Sequence, residues 1–142
     1  MSFSVIAVDW PNAGAALAEI RRRVFIEEQS VPEALEWDGL DEGAMHVLAS
    51  DGANRAIGCA RMLPQGKIGR MAVLPEWRGS GVGRAMLETL IALARAQELS
   101  EVSLSAQTHA IPFYEQAGFR ICSEIYDDAG IPHRDMVLAL SA

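Results

Sequence analysis

Glu76-Trp77-Arg78-Gly79-Ser80-Gly81-Val82-Gly83-Arg84-Ala85-Met86 is the stretch on which the reading of the fold turns. An apolar helical stripe begins inside it, at Val82, Met86, Leu90 and Leu93, widened by Leu87, Ile91 and Ala94. Glycine is among the poorest helix formers, yet three glycines stand at this helix start. A first helical turn favours Asp or Glu, and a cation there is unfavourable by some tenths of a kcal/mol. Here Arg84 sits in that turn and Arg78 just upstream. Both oddities disappear if an anion is bound. The first N–H groups of a helix have no internal partner, and glycines let a ligand come close to them. The plainer alternative is a solvated loop with an Arg84–Glu88 pair at i, i+4 spacing.

Working outward, residues 67–74 read as a strand leading into the loop, and 102–107 as a strand after the helix. Strand, helix, strand is a crossover unit, which requires the two strands to be parallel. In the first, Ile68 has one parity and Met71 and Val73 the other, with Gly69 between them. A parity switch at a strand glycine predicts a β-bulge there. Upstream, 44–50 and 56–63 flank the turn Asp51-Gly52-Ala53-Asn54, and Pro64-Gln65-Gly66 forms the next turn, so 44–74 reads as an antiparallel meander. Phe3–Val8 reads as a first strand. Asn12, after Pro11, is the expected cap of a first helix carrying Leu17, Ile20 and Val24 and fading near Gln29. A short helix is expected over 110–117, with Gly118 as its C-terminal cap, and strands over 119–126 and 134–140 as an antiparallel pair. The class is α+β: a mixed, mostly antiparallel sheet flanked by helices.

The chain has 142 residues, half of them hydrophobic and a fifth charged, which fits one domain over 1–142. A net charge of −7 argues against nucleic acid as a partner. Eleven of the twelve basic residues are arginine. Cys59 and Cys122 lie far apart in apolar contexts and are expected to be buried, reduced thiols. Neither they nor His46, His109 and His133 have metal-ligand spacing, so no metal is expected. No segment reads as a signal peptide or approaches the ~20 apolar residues that span a bilayer, so a cytoplasmic protein with no membrane partner is expected. Residues 27–42 carry Glu27, Glu28, Glu33, Glu36, Asp38, Asp41 and Glu42 and no Lys or Arg. They form either a solvated loop or a wall that attracts a cationic substrate.

The kind of anion is narrowed by spacing. A P-loop needs Gly-Lys-Ser/Thr after its last glycine, and Arg84-Ala85 does not provide it. A dinucleotide site needs Gly-x-Gly-x-x-Gly and an acid at the end of the second strand; Glu98 and Glu101 precede that strand.

Arg78, Gly81 and Gly83 fit Arg/Gln-x-x-Gly-x-Gly/Ala, following Gly69-Arg70-Met71-Ala72-Val73-Leu74-Pro75. Phe113-Tyr114-Glu115-Gln116-Ala117-Gly118-Phe119 stands some thirty residues downstream. Together these two motifs resemble the signature of the GNAT family of N-acetyltransferases, and the order of elements agrees over almost the whole chain. Further stretches resemble the family's small bacterial ElaA-like members: Val24-Phe25-Ile26-Glu27-Glu28-Gln29, Glu36-Trp37-Asp38, Ala106-Gln107 and Gly130-Ile131-Pro132-His133.

The resemblance implies an enzyme that uses acetyl-CoA as acetyl donor. It implies a pyrophosphate on the backbone of Gly79, Ser80, Gly81, Val82, Gly83 and Arg84, with Arg78 at the edge. It implies a pantetheine arm running beside Met71, Ala72 and Val73, with the Val73 N–H facing the thioester oxygen. Gln107 is a wall of that groove or merely a polar strand end. Tyr114 matches the residue that protonates the departing thiolate; its alternative role is to pack under the cofactor. An alkyl ammonium must lose a proton before it attacks, and Glu28, Glu36, Asp38, His109 and His46 are the candidate bases, with Glu28 foremost. No Cys or Ser sits in a nucleophile motif, so direct transfer to a primary amine of a small or peptidic acceptor, cationic if the acidic stretch is its wall, is expected. A non-catalytic acyl-CoA-binding module is the alternative, and monomer and homodimer both remain open.

Overall fold

The computed structural model describes residues 2–140. Asp9 begins the first helix, not Asn12: its carboxylate accepts the Asn12 N–H at 2.9 Å. Pro11 belongs inside a first helical turn, where no N–H is needed, so the cap lies upstream of it. Helix α1 (Trp10–Arg21) then widens without a break into a π-helical segment over Arg22–Glu28, closed by the Gln29 N–H on the carbonyl of Val24 at 3.1 Å. Such wide turns concentrate at functional sites. A four-residue helix α2 (Glu33–Glu36) follows.

Strands β1 (Phe3–Val8), β2 (Met45–Asp51), β3 (Ala56–Met62) and β4 (Lys67–Val73) form one antiparallel run. Helix α3 (Val82–Ala96) crosses over to β5 (Glu101–Gln107), which pairs with β4 in parallel. The sheet order is β1-β2-β3-β4-β5-β8-β6, with β7 also on β8. The segment expected to be one strand over 119–126 is two: β6 (Arg120–Ile121) and β7 (Tyr126–Asp128), both pairing with β8 (Ile131–Ala139). A 3-10 turn (Thr108–Ala110) and helix α4 (Ile111–Gln116) connect β5 to β6.

Each face of the sheet has its own core. On one, α3 buries Val82, Met86, Leu87, Leu90 and Ala94 against Val47, Ile57, Ile68 and Leu104. On the other, α1 and the π-segment bury Leu17, Ile20 and Val24 against Cys59, Ala72 and Leu74. Burial pushes the Cys59 thiol up to about 12, which keeps it protonated and inert. Cys122 is exposed, against expectation; the break between β6 and β7 leaves it outside the core.

Two irregularities of β4 open the sheet. Cys59 pairs with Ala72 but Arg61 with Gly69, so β4 carries one extra residue there. The residue that takes the strained backbone is Arg70, at φ 50°, next to the glycine where the bulge was expected. Toward β5, β4 pairs only at Lys67 with Ser103 and Ile68 with Leu104. Beyond that point the strands diverge, leaving the β5-facing edge of Gly69–Val73 without ladder partners.

Candidate active site

The divergence of β4 and β5 is the floor of a groove of about 1010 Å³. Its banks are the glycine loop and α4 on one side and the π-segment on the other. Met71, Ala72 and Val73 line it from β4; Arg78, Gly79, Gly81, Val82, Gly83 and Arg84 from the loop; Glu28, Gln107 and Tyr114 from three further elements. Ser80 does not line it; its hydroxyl turns back to the carbonyl of Trp77 at 2.5 Å.

The loop meets the requirements of an anion site. Gly79 and Gly81 have φ of 79° and 93°, a region unfavourable for side chains, and a Cβ on either would meet nothing within 4 Å. Gly81 caps α3 with no side-chain bond, and no acid stands in the first turn. The first helical bond is from Ala85 N–H to the Gly81 carbonyl, so the amides of Val82, Gly83 and Arg84 precede it. Free backbone amides at a helix start suit an anion.

The two arginines behave differently from the simplest expectation. Arg84 pairs with Glu88 at 2.9 Å, both well exposed, as the plainer reading had it. Arg78 donates twice to Glu28, at 2.7 Å each, and through Nε to the Val73 carbonyl at 3.0 Å. The hydrogen bonds from Arg78 hold the Glu28 carboxyl below its usual range. Glu28, the foremost of the candidate bases, thus has both carboxylate oxygens engaged by Arg78 and binds a proton more weakly than usual.

Within the acidic stretch Glu28, Glu33, Glu36, Asp38 and Asp41 are ion-paired, while Glu27 and Glu42 are exposed. Arg21 donates to Glu36 at 2.8 Å and to Asp41 at 2.6 Å; Arg61 grips Asp38 at 2.9 Å through two nitrogens and reaches Asp41 at 3.1 Å; Arg70 reaches Glu36 at 3.1 Å and Asp38 at 3.2 Å. Three arginines thus face three acids. The Arg21 guanidinium also lies 5.7 Å from the Trp10 ring and 5.0 Å from the Trp37 ring. The bonds from Arg61 pull the Asp38 carboxyl far below its ordinary range. Glu36 and Asp38 are therefore not available as bases. His46 is buried, with Nε2 donating to the Asp41 carbonyl at 2.8 Å, and burial lowers its pKa. It lies outside the groove. What the acids leave at the groove's mouth is apolar: Leu35 and Leu40 line it and are about half exposed.

Tyr114 stands on α4 between Phe113 and Phe119, with ring centroids at 5.0 and 6.0 Å. Its hydroxyl has one weak contact, the Met71 sulfur at 3.9 Å. Burial pushes it up to about 12, so it is a neutral donor throughout the physiological range. At the far end of the groove Gln107 donates to Gln29 at 2.9 Å, an unforeseen contact that joins β5 to the end of the π-segment.

Replacing Gly83 by Asp separates the anion site from plain helix capping. A Cβ at Gly83 meets only ordinary contacts, the nearest at 3.5 Å on Phe113. An acid there favours the helix by some tenths of a kcal/mol, so the melting temperature holds or rises, while binding of an anionic ligand at the loop should weaken about tenfold or more. Calorimetry and a melting curve check both.

Residues 10–140 match the family model of the GNAT acetyltransferase domain. The chain is 38% identical over 122 residues to the uncharacterized N-acetyltransferase YjcF of Bacillus subtilis, covering 83% of this chain and 86% of that protein. It is 32% identical over 129 residues to protein ElaA of Escherichia coli, covering 85% and 84%. The crystal structure of an acyl-CoA N-acyltransferase from Pseudomonas aeruginosa superposes with a TM-score of 0.86 at 30% identity, over 97% of this chain and all of that one. Groove, glycine loop and Tyr114 thus stand on the fold of acyl-CoA-dependent N-acyltransferases, and the chain belongs to the GNAT acetyltransferase family.

Proposed function

We propose that the chain transfers an acetyl group from acetyl-CoA directly to the nitrogen of a primary amine. The observation that carries this is the opening of β4 from β5 beside the uncapped start of α3: one end of the groove fits a pyrophosphate, and its floor is a strand edge with free backbone groups. The bound acetyl-CoA would supply a thioester as acyl donor. Val82, Gly83 and Arg84 would hold the pyrophosphate through backbone amides, and the edge of Met71–Val73 would hold the pantetheine arm as an added strand. A backbone N–H near Val73 would face the carbonyl oxygen, where negative charge develops; such a donor lowers the barrier by about 3–4 kcal/mol. Tyr114 would give its proton to the departing sulfur.

The residues around the groove support direct transfer. Cys59 is buried outside it, and the Ser105 hydroxyl is bonded to Tyr126. Neither has the adjacent base that an acyl-enzyme nucleophile needs. With Glu28, Glu36, Asp38 and Asp41 matched by arginines, Leu35 and Leu40 support an acceptor whose amine is attached to an apolar body.

A melting experiment tests the reading. A ligand at 100 times its Kd stabilises by about 2.7 kcal/mol, which is roughly 5–15 °C for a domain of this size. Acetyl-CoA is expected to give this shift and NAD none, and thiol release is expected when an amine is added. No shift with acetyl-CoA overturns the proposal. A shift with no thiol release from any amine points to a CoA-binding protein without turnover.

A further inference from the structure

The acceptor end of the groove contains a histidine whose chemistry no other role absorbs. His133, at the start of β8, lies opposite Gln107 of β5 and opposite Tyr126 of β7. It lines the groove and is almost buried. Its Nδ1 is 2.7 Å from the carbonyl of Ile131. A carbonyl only accepts, so Nδ1 carries the hydrogen, and in the neutral ring Nε2 carries a lone pair. Among the described residues Nε2 has no hydrogen-bond partner.

The ring is held from behind. It stacks on Tyr126 at 6.1 Å and 23°. The Tyr126 hydroxyl is 2.5 Å from Asp135, which as a carboxylate can only accept, so it spends its one hydrogen there. Ser105 must then donate to the phenol oxygen. Tyr126 is thus fixed at both sides of its hydroxyl, and the imidazole stacked on it has a set tautomer and a set plane.

The other candidates lack this combination. Glu28, Glu36 and Asp38 are ion-paired, and His46 is outside the groove. His109 lines the groove but is exposed, with no hydrogen bond to fix its ring.

We infer that His133 Nε2 is the base that takes the proton from the acceptor ammonium. The inference rests on the acetyl-transfer reading above. The ammonium N–H bond breaks and its electron pair stays on nitrogen, which bonds to the acetyl carbon; the carbon–sulfur bond breaks, and the sulfur takes the proton of Tyr114. The acylated nitrogen then loses its second proton to leave the neutral amide, and that proton, relayed through solvent, restores the Tyr114 hydroxyl. The proton left on Nε2 passes to solvent. Gly130-Ile131-Pro132-His133 would thus be a catalytic turn.

The test compares wild type with His133→Asn and His133→Gln. The Asn amide nitrogen stands where Nδ1 does and keeps the bond to Ile131, so folding and acetyl-CoA Kd are expected to hold. For alkyl amines, charged at pH 7, kcat/KM is expected to fall about 100-fold or more in both variants. For anilines, already neutral at pH 7, the loss should nearly vanish, which misplacement of the groove would not produce. Imidazole 15N shifts of the wild type should report a hydrogen on Nδ1. An Nε2–H tautomer, equal losses for both amine types, unchanged alkyl-amine turnover, or transfer of the loss to His109→Asn would overturn the assignment alone. A wild type that binds acetyl-CoA and acetylates no amine overturns the acetyl-transfer reading, and this assignment with it.

Discussion

Replacing Tyr114 by Phe should lower kcat by about 100-fold or more and leave the acetyl-CoA Kd almost unchanged. The hydroxyl makes one weak contact, to Met71, so its removal leaves no strong partner orphaned. The ring would stay between Phe113 and Phe119. A purely packing Tyr114 predicts near-normal kcat in the variant, so steady-state kinetics with acetyl-CoA and one active amine decides between the roles. The same residue has a signature in alkali. Its pKa rises from 10.0 to about 12 on folding. The folded state therefore holds the proton more tightly, and the associated stability is whole below pH ~10 and is lost as pH rises toward 12. Tyr114→Phe should remove that part of the alkaline decline, measurable as a flatter plot of stability against pH in that window.

The largest effect on stability should come from Arg21→Ala. The guanidinium is 2% exposed and bonds to Glu36 and Asp41. Removing one partner of a buried charge cluster costs about 3–5 kcal/mol, because the acids stay behind without their counter-charge. The melting temperature should fall by about 10–20 °C. Arg22→Ala is the control: its pair with Glu33 is half exposed and should contribute at most about 1 kcal/mol. Equal melting curves for the two variants would refute the buried cluster. The cluster also sets the acid limit. The bonds from Arg61 hold the folded Asp38 carboxyl far below the ordinary carboxylate range. A depressed carboxylate contributes stability above its unfolded pKa and loses it as pH falls through the folded one. Unfolding should therefore begin below pH ~4, and later in wild type than in Arg61→Met, which removes the main cause of the shift.

The glycine loop was legible because its oddity is local. Three glycines and two arginines around one helix start can be judged within eleven residues, and they fixed the crossover and the anion site together. Other features depended on partners far along the chain. Seven acids in sixteen residues looked unopposed, since Arg61 and Arg70, which neutralise several of them, lie twenty or more residues away. Nothing in one sequence pairs them. The bulge was read one residue early because its position depends on how β3 pairs, which places Arg70 at positive φ beside Gly69. Pro11 carried a signal that was misapplied: the cap belonged before it. His133 stood in a quoted motif, but its free nitrogen becomes visible only when β7 folds back on β8 and Tyr126 lies behind the ring.

The π-segment has one more consequence. Its end delivers Glu28 and Gln29 as neighbours, and they reach two separate elements of the groove, Arg78 beside the glycine loop and Gln107 at the end of β5. One turn of backbone therefore ties the two sides of the sheet's opening like a knot in a drawstring. A cosubstrate phosphate competing for Arg78 would loosen half of that knot, and the chain that carries Glu28 is a wide helical turn, a form frequent at functional sites. Hydrogen exchange at Val24–Gln29, followed as acetyl-CoA is added, would read that loosening directly.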